Sequence, residues 1–192
     1  MTGFLKVQYG SLYIRSVEVL LNDLKRNGDK LINPYKIPLI VSSAAALETI
    51  LNEAIIIECQ HRLPNQDVKR ITNSHLGMSL GGKLDNLGWM LTDNEYVVDN
   101  QSVIYQSLRS IIKYRNETMH FKAYYREVDH SISDEGESSY TLNDKALNAT
   151  ANDIGIDEFE LIYKAILELS ESIVNITSTP PIIKNDLFKE NA

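Results

Sequence analysis

The sequence has little of the residues that build disulfide frameworks and thiolate metal sites. Cys59 is the only cysteine among 192 residues, so neither an intrachain disulfide nor a zinc–thiolate cluster can form. The four histidines lack the spacing of metal ligands, and no glycine-rich loop follows a predicted strand, which argues against nucleotide-binding loops. We therefore expect no metal and no cofactor, with Cys59 a buried thiol in a reducing compartment.

Long apolar runs and an excess of positive charge are also missing. No stretch approaches the roughly 18 apolar residues of a membrane span, and the N-terminal MTGFLKVQYG does not resemble a secretory signal. We expect a cytoplasmic protein that does not associate with membranes. The 19 lysines and arginines are outnumbered by 26 acidic residues, for a net charge of −7. Any nucleic-acid site must therefore be a local basic patch on an acidic protein.

Apolar residues at helical spacing dominate what is present. The pattern is strong in YGSLYIRSVEVLLNDLKRNG, SSAAALETILNEAIIIECQHRL and DEFELIYKAILELSESIVNI, and weaker in NQDVKRITNSHLGMSL and KLDNLGWML. We predict an all-α bundle of about five main helices, in which Trp89 belongs to the core. A single domain is expected over residues 1–192, with its core at about 9–176 and a frayed tail at 177–192.

Three segments between these helices lack the pattern. INPYKIPL, with two prolines, predicts an extended connector before a helix capped by Ser42 or Ser43. Gly81 and Gly82 predict a break in the chain. The acidic region from 126 to 153 predicts either a small hairpin, with AYYREV paired to SSYTL near residues 123–142, or a solvated loop.

The helix that contains SIIKYRNETMH has two distinct faces. A helical wheel places one arginine, Arg115, near the middle of an apolar stripe, and a basic and polar stripe on the opposite flank. The apolar stripe comprises Ile104, Leu108, Ile111, Ile112 and Met119; the polar stripe comprises Arg109, Lys113, Asn116 and His120. Asn116 and His120 are four residues apart, so their side chains can touch.

An arginine aimed into an apolar stripe requires a partner or water for its guanidinium. Three explanations are open for Arg115. Its head group reaches past the edge of the core to solvent, it pairs with Glu48 or Glu53 of the preceding long helix, or it lines a functional site, for example where two subunits meet.

The same region concentrates positive charge and aromatic rings. Between residues 109 and 126 one acidic residue, Glu117, stands against five basic ones: Arg109, Lys113, Arg115, Lys122 and Arg126. Positive charge interleaved with tyrosines and a phenylalanine is typical of single-stranded nucleic-acid sites, where phosphates meet cations and bases stack on rings. A solvated helix face beside core aromatics would give the same pattern.

RNETMH, from Arg115 to His120, resembles the R-(N/D/H)-x3-H signature of the HEPN superfamily, and SSAAALETILNEAI resembles its alanine-rich early helix. The resemblance covers about residues 9–176. RITNSH repeats the spacing from Arg70 to His75, but Arg70 lies off the apolar positions and lacks this setting.

The resemblance implies a helical bundle that acts as a metal-independent endoribonuclease in toxin or phage-defence systems. Such proteins are usually homodimers whose two motifs face each other across the interface. For this chain, His120 would transfer protons, Arg115 would bind the phosphate and Asn116 would orient them, with Arg109, Lys113, Lys122 and Arg126 as RNA-binding residues. Lys122 stands where nucleotidylated HEPN toxins often carry tyrosine, so that form of control is doubtful, and any antitoxin or regulator would be a separate protein.

A second reading belongs to a different class. The same bundle could be a non-catalytic module that dimerises or holds a partner or nucleic acid, with Arg115 and His120 in structural or binding roles. The net negative charge favours this alternative, and the intact R-N-x3-H motif favours the ribonuclease.

Overall fold

The computed structural model describes residues 9–28, 33–119, 126–133, 136–146, 154–178, 181 and 186–191. For residues 126–128 and 140–146 within these ranges, it describes the backbone alone. Within these ranges lie seven helices: α1 (Tyr9–Asn27), α2 (Lys36–Arg62), α3 (Asn65–Leu76), α4 (Leu80–Asp85), α5 (Leu87–Thr92), α6 (Val103–Met119) and α7 (Ile156–Ile176). Strand β1 (Tyr96–Val98) pairs antiparallel with β4 (Phe188–Glu190), and β2 (Arg126–Ile132) with β3 (Ser138–Ala146). Five of the helices have between 12 and 27 residues, which confirms the predicted bundle of about five main helices.

Helix α2 is the centre of the bundle. It packs against α1, α3, α5, α6 and α7, and its fully buried residues include Ile40, Ala46, Leu47 and Leu51. Its buried alanines, Ala44, Ala46 and Ala54, let neighbouring helices approach closely. Burying each leucine or isoleucine side chain contributes roughly 1.5–3 kcal/mol, so this helix supplies much of the stability of the fold.

The predicted start of α2 at Ser42 or Ser43 is wrong. The helix begins at Lys36, and Pro38 lies in its first turn. A proline is tolerated there because the first backbone N–H groups of a helix have no partner within it. The chain enters through an Asx turn in which the buried Asn33 accepts a hydrogen bond from the N–H of Tyr35 at 3.0 Å.

The region around Gly81 and Gly82 also differs from the prediction. Both glycines lie inside α4, whose start is capped by Ser79 Oγ, which accepts from the N–H of Gly82 at 3.1 Å. Trp89 is 50% exposed, so its predicted core position is wrong. Helix α5 turns Leu87 and Leu91 into the core, and the indole consequently lies on the outer side.

The hairpin predicted in the acidic region is confirmed. Strands β2 and β3 pair with Val128 opposite Leu142 and Ser131 opposite Ser139, and the turn lies between Ile132 and Ser138. The pairing extends to Ala146, four residues beyond the predicted segment. The first three residues of the predicted strand, 123–125, lie outside the described residues.

The expected fraying of the C-terminal tail is wrong for residues 186–191. Leu187 is fully buried, Phe188 is 5% exposed, and β4 forms backbone pairs with β1. Lys189 Nζ donates to Asp99 Oδ1 at 3.0 Å and fixes the strand at its edge. Two apolar residues within a polar tail provide too weak a periodicity to predict this return to the core.

Helix α2 corrects a further expectation. Among the described helices it is the one long and apolar enough to cross a membrane, with a mean hydropathy of 1.6 over its most apolar 18 residues. Half of that stretch is buried inside the protein. The central helix of a bundle satisfies the same criteria by length and composition, so the observation is weak evidence for a membrane span.

The start of α1 is capped by a side chain from α2. Glu53 Oε1 accepts hydrogen bonds from the N–H groups of Tyr9 at 2.8 Å and Gly10 at 3.3 Å. A carboxylate at this position also interacts favourably with the positive end of the helix dipole. Gly10 permits the approach, because a Cβ there would lie 3.1 Å from Glu53 Oε2.

We expect Glu53→Ala to lower the free energy of unfolding by about 1–2 kcal/mol, because the first turn of α1 loses its acceptor. Urea denaturation followed by circular dichroism measures this. Glu137→Ala, which removes an exposed carboxylate in the hairpin turn, is the matched control and should be near neutral. A loss no larger than that of the control would contradict the capping role.

Pairing with Lys189 makes the anchoring of β4 sensitive to acid. The hydrogen bond from Lys189, with one from the N–H of Gln101, lowers the pKa of Asp99 below its usual value of 3.8. The ionised Asp99 carboxylate therefore stabilises the fold above pH 3.8, and this stabilisation is lost as the pH falls and the carboxylate is protonated. We expect wild type to melt at a higher temperature than Asp99→Asn at neutral pH, with the difference shrinking as the pH falls below 3.8. A difference that does not change with pH would contradict this assignment.

Candidate active site at the end of helix α6

Helix α6 presents one buried face and one exposed face, as the wheel predicted. Ser102 caps its start by accepting from the N–H of Tyr105 at 3.1 Å. The inward residues Ile104, Leu108, Ile111 and Ile112 are buried, and Arg109, Lys113 and Asn116 are exposed. Met119 departs from the prediction: it is 61% exposed, because the apolar stripe ends before the last turn of the helix.

Arg115 is partly buried on the last turns of α6. Its Nη1 donates to Asn116 Oδ1 at 3.1 Å, and among the described residues it pairs with no carboxylate. The two glutamates proposed as partners are engaged elsewhere. Glu53 caps α1, and Glu48 Oε1 lies 3.7 Å from Lys83 Nζ. The ion-pair explanation is therefore wrong for these two partners, and solvent exposure or a functional site remain.

The predicted catalytic histidine, His120, directly follows the last residue of α6 and lies outside the described residues. Its contact with Asn116 therefore stays a prediction. The structure does bring the other two motif residues, Arg115 and Asn116, together through a direct hydrogen bond.

Of the predicted basic patch, only some residues are described, and one of these already has an acidic partner. Arg109 Nη1 lies 3.6 Å from Asp85 Oδ2 and covers Gly81, where a Cβ would be 2.5 Å from the same nitrogen. Lys113 is exposed, with its Nζ 5.9 Å from the centre of the Tyr114 ring. Lys122 and the side chain of Arg126 lie outside the described residues, although the backbone of Arg126 begins β2.

Tyr114 ties the end of α6 to the start of α7, a contact that the sequence did not reveal. Its hydroxyl donates a short hydrogen bond to Glu158 Oε1. Burial, followed by this bond to a carboxylate, raises the pKa of Tyr114 far above its usual value of 10.0. The phenol therefore stays protonated and the bond persists at neutral pH. The two residues are 44 positions apart, and no local pattern links them.

Several contacts place Arg115 at one end of the bundle. Lys25 Nζ, near the end of α1, lies 2.5 Å from Glu160 Oε1, near the start of α7. The ends of α1 and α6 thus meet the start of α7. Because α1 begins beside Glu53 in the C-terminal half of α2, its end lies towards the start of α2. Arg115 and the first turns of α2 consequently share one end of the bundle.

Among the side chains that the structure describes, no group of three or more histidine, cysteine, aspartate and glutamate residues is arranged so that it could hold a metal ion. Comparison with known proteins gave no match to a protein-family model, a curated protein or a solved structure. The family resemblance accordingly rests on the sequence motifs.

Tyr114→Phe tests the link between α6 and α7. We expect the free energy of unfolding to fall by about 1–2 kcal/mol, because Glu158 loses its donor in a partly buried position. The raised pKa adds a second signature. Stability that wild type gains from the protonated phenol is lost as the pH rises above about 10, so wild type should decline more steeply there than Tyr114→Phe. Parallel alkaline profiles in urea denaturation would contradict the assignment.

Proposed function

We propose that the protein is a metal-independent endoribonuclease of HEPN type, with Arg115, Asn116 and His120 as its catalytic residues. The observation that carries the proposal is the environment of Arg115. Arg115 as a residue is partly buried near the end of α6, and its guanidinium is oriented by a neutral amide through an exposed hydrogen bond and has no carboxylate partner among the described residues. An arginine held in this way keeps N–H donors and an uncompensated charge for phosphate oxygens.

The chemistry matches these residue types. The 2′-hydroxyl of a ribose attacks the adjacent phosphorus, and the bond from phosphorus to the 5′-oxygen breaks. The products are a 2′,3′-cyclic phosphate and a 5′-hydroxyl. A histidine with a pKa near neutrality, His120, moves a proton in this step. Arg115 stabilises the added negative charge on the phosphorane, and Asn116 fixes its guanidinium.

The proposed site is shared between the two subunits of a homodimer, with the motif of each chain facing that of the other. Exposed apolar side chains at the same end of the bundle support this arrangement. Ile37 and Val41 lie one turn apart in the first turns of α2 with 50% and 41% of their surface exposed, and Met119 ends α6. A dimer that covers them would also remove water from around Arg115, which strengthens its interaction with phosphate.

The biological role that we propose is that of a cytoplasmic toxin or phage-defence nuclease, controlled by a separate antitoxin or regulator protein. RNA is its substrate and no metal or cofactor takes part. Lys113, exposed on α6, is a proposed contact for the phosphate backbone, and Lys122 and Arg126 from the sequence that follows are proposed for the same role.

A second candidate function is a non-catalytic helical module that binds a partner protein or nucleic acid. The pairing of Arg109 with Asp85 favours its partner-protein form, because that ion pair removes one of the five positive charges of the patch from phosphate binding. The two candidates differ in turnover, which a cleavage assay measures directly.

The test is RNA cleavage by purified wild-type protein in EDTA, with the product ends analysed. We expect His120→Ala to lower the rate by about 10²–10⁴-fold and Arg115→Ala by about 10²–10³-fold. Arg70→Ala and His61→Ala, both at exposed positions away from α6, are the matched controls and should retain activity. Cleavage that survives in His120→Ala, or that leaves no cyclic phosphate, would refute the proposed mechanism.

A further inference from the structure

A second concave site lies at the other end of the bundle, among the end of α2, helix α3 and helix α5. It has a volume of about 320 Å³, within the range of small-molecule pockets. Its lining residues are Glu58, Cys59, Arg62, Leu63, Ile71, His75, Trp89, Met90 and Asp93. Because Arg115 lies towards the start of α2, this pocket is separate from the candidate active site.

The aromatic side of the pocket is formed by Trp89 and His75. Half of the Trp89 surface is exposed, although its helix buries Leu87 and Leu91 completely or almost so. The His75 ring stands edge-on to the indole, with centroids 6.5 Å apart and an interplanar angle of 68°. The imidazole thereby supports the indole at its edge and leaves apolar ring surface in water, which a flat ligand could cover.

The deeper wall is apolar and polarisable. Cys59 is 7% exposed, and its Sγ lies 3.8 Å from His75 Nδ1. Met90 supplies a thioether, and Leu63 and Ile71 supply aliphatic surface. Such walls accept aromatic rings readily, because sulfur atoms and ring edges attract each other.

The charges of the pocket exclude anionic ligands. The charge of its one arginine, Arg62, is already compensated: Arg62 contacts Glu58, lies 2.6 Å from Asp93 Oδ1 and donates to the Leu91 carbonyl. Two carboxylates and one guanidinium leave a formal charge of −1 on the lining with His75 neutral. A phosphate would meet this charge without a free arginine to bind it, so a neutral or cationic ligand fits better.

We propose that this pocket binds a planar nitrogen heteroaromatic compound, neutral or cationic and of the size of a nucleobase. The ring stacks on Trp89, His75 exchanges a hydrogen bond with a ring nitrogen or amine, and the carboxylate rim attracts positive charge. The ligand is a free small molecule rather than a base of an RNA strand, because a strand would bring phosphates to the acidic rim. This inference does not depend on the ribonuclease activity.

Two intrinsic reporters make the pocket measurable in the full-length protein. Trp89 is the only tryptophan and Cys59 the only cysteine of the chain, and both line it. Ligand binding is followed by Trp89 fluorescence, and independently by protection of Cys59 from iodoacetamide, measured by mass spectrometry.

The probes form series that differ in charge. Adenosine is neutral, 1-methyladenosine is cationic near neutral pH and adenosine 5′-monophosphate is anionic; nicotinamide and 1-methylnicotinamide form a second neutral and cationic pair. We expect saturable binding of the neutral and cationic members with Kd below about 1 mM. The monophosphate and a short oligoadenylate should bind about tenfold more weakly than adenosine.

Variants separate stacking from general effects on the fold. Trp89→Ala should weaken the protection of Cys59 by roughly tenfold, because base stacking on an aromatic ring is lost. His75→Gln should weaken it as well while keeping a polar side chain. His61→Ala, an exposed histidine near the end of α2, is the matched control and should bind like wild type.

Three results would overturn the proposal. The first is the absence of saturable binding for every neutral and cationic probe. The second is binding of the monophosphate or the oligoadenylate as tight as that of adenosine. The third is equal weakening by Trp89→Ala and His61→Ala.

Discussion

The burial of α2 on several sides is the constraint on which the rest of the structure depends. Ile40, Leu47 and Leu51 are fully enclosed, so α1, α6 and α7 must cover the helix along its middle and leave little room for a site there. Small residues such as Ala46 let these neighbours pack closely. The two proposed sites accordingly lie at the two ends of the bundle. Arg115 lies at one end, and the pocket beside Trp89 lies at the other.

Polar residues on α2 serve this packing rather than a separate chemistry. Glu53 caps α1, and Asn52 accepts from the buried Lys83 at 2.8 Å, with Glu48 beyond it. Asn52 and Glu48 satisfy the buried ammonium of Lys83, and Glu53 gives the first backbone N–H groups of α1 an acceptor that the helix itself does not provide. Together they explain why a long apolar helix carries polar residues at these positions, and why neither glutamate is available to Arg115.

The sequence predicted the long helices well, because their apolar periodicity records which face is buried. The buried stripe of Ile104, Leu108 and Ile111 is confirmed, and the second predicted helix buries Leu47 and Leu51 completely. The errors arose where tertiary contacts outweigh local signals. Pro38 suits a first helical turn as well as a connector, and Phe188 pairs with a strand 90 residues earlier in the chain. Likewise, the helical wheel predicted the unusual position of Arg115 within an apolar stripe. The contact of Tyr114 with Glu158 could not be predicted, because the two residues are 44 positions apart and no local sequence pattern links them.

For the proposed function, it matters more that Asn116, the partner of Arg115, is uncharged than how many basic residues lie nearby. Arg109 has the same charge, but Asp85 already compensates it, so a phosphate would have to compete with a carboxylate. Asn116 can orient the Arg115 guanidinium without neutralising it. A cation in that state is stabilised by an incoming anion, and most strongly by the extra charge of a phosphorane. In the proposed mechanism, Arg115 thus favours the transition state of RNA cleavage over the resting phosphodiester, as a catalytic arginine must.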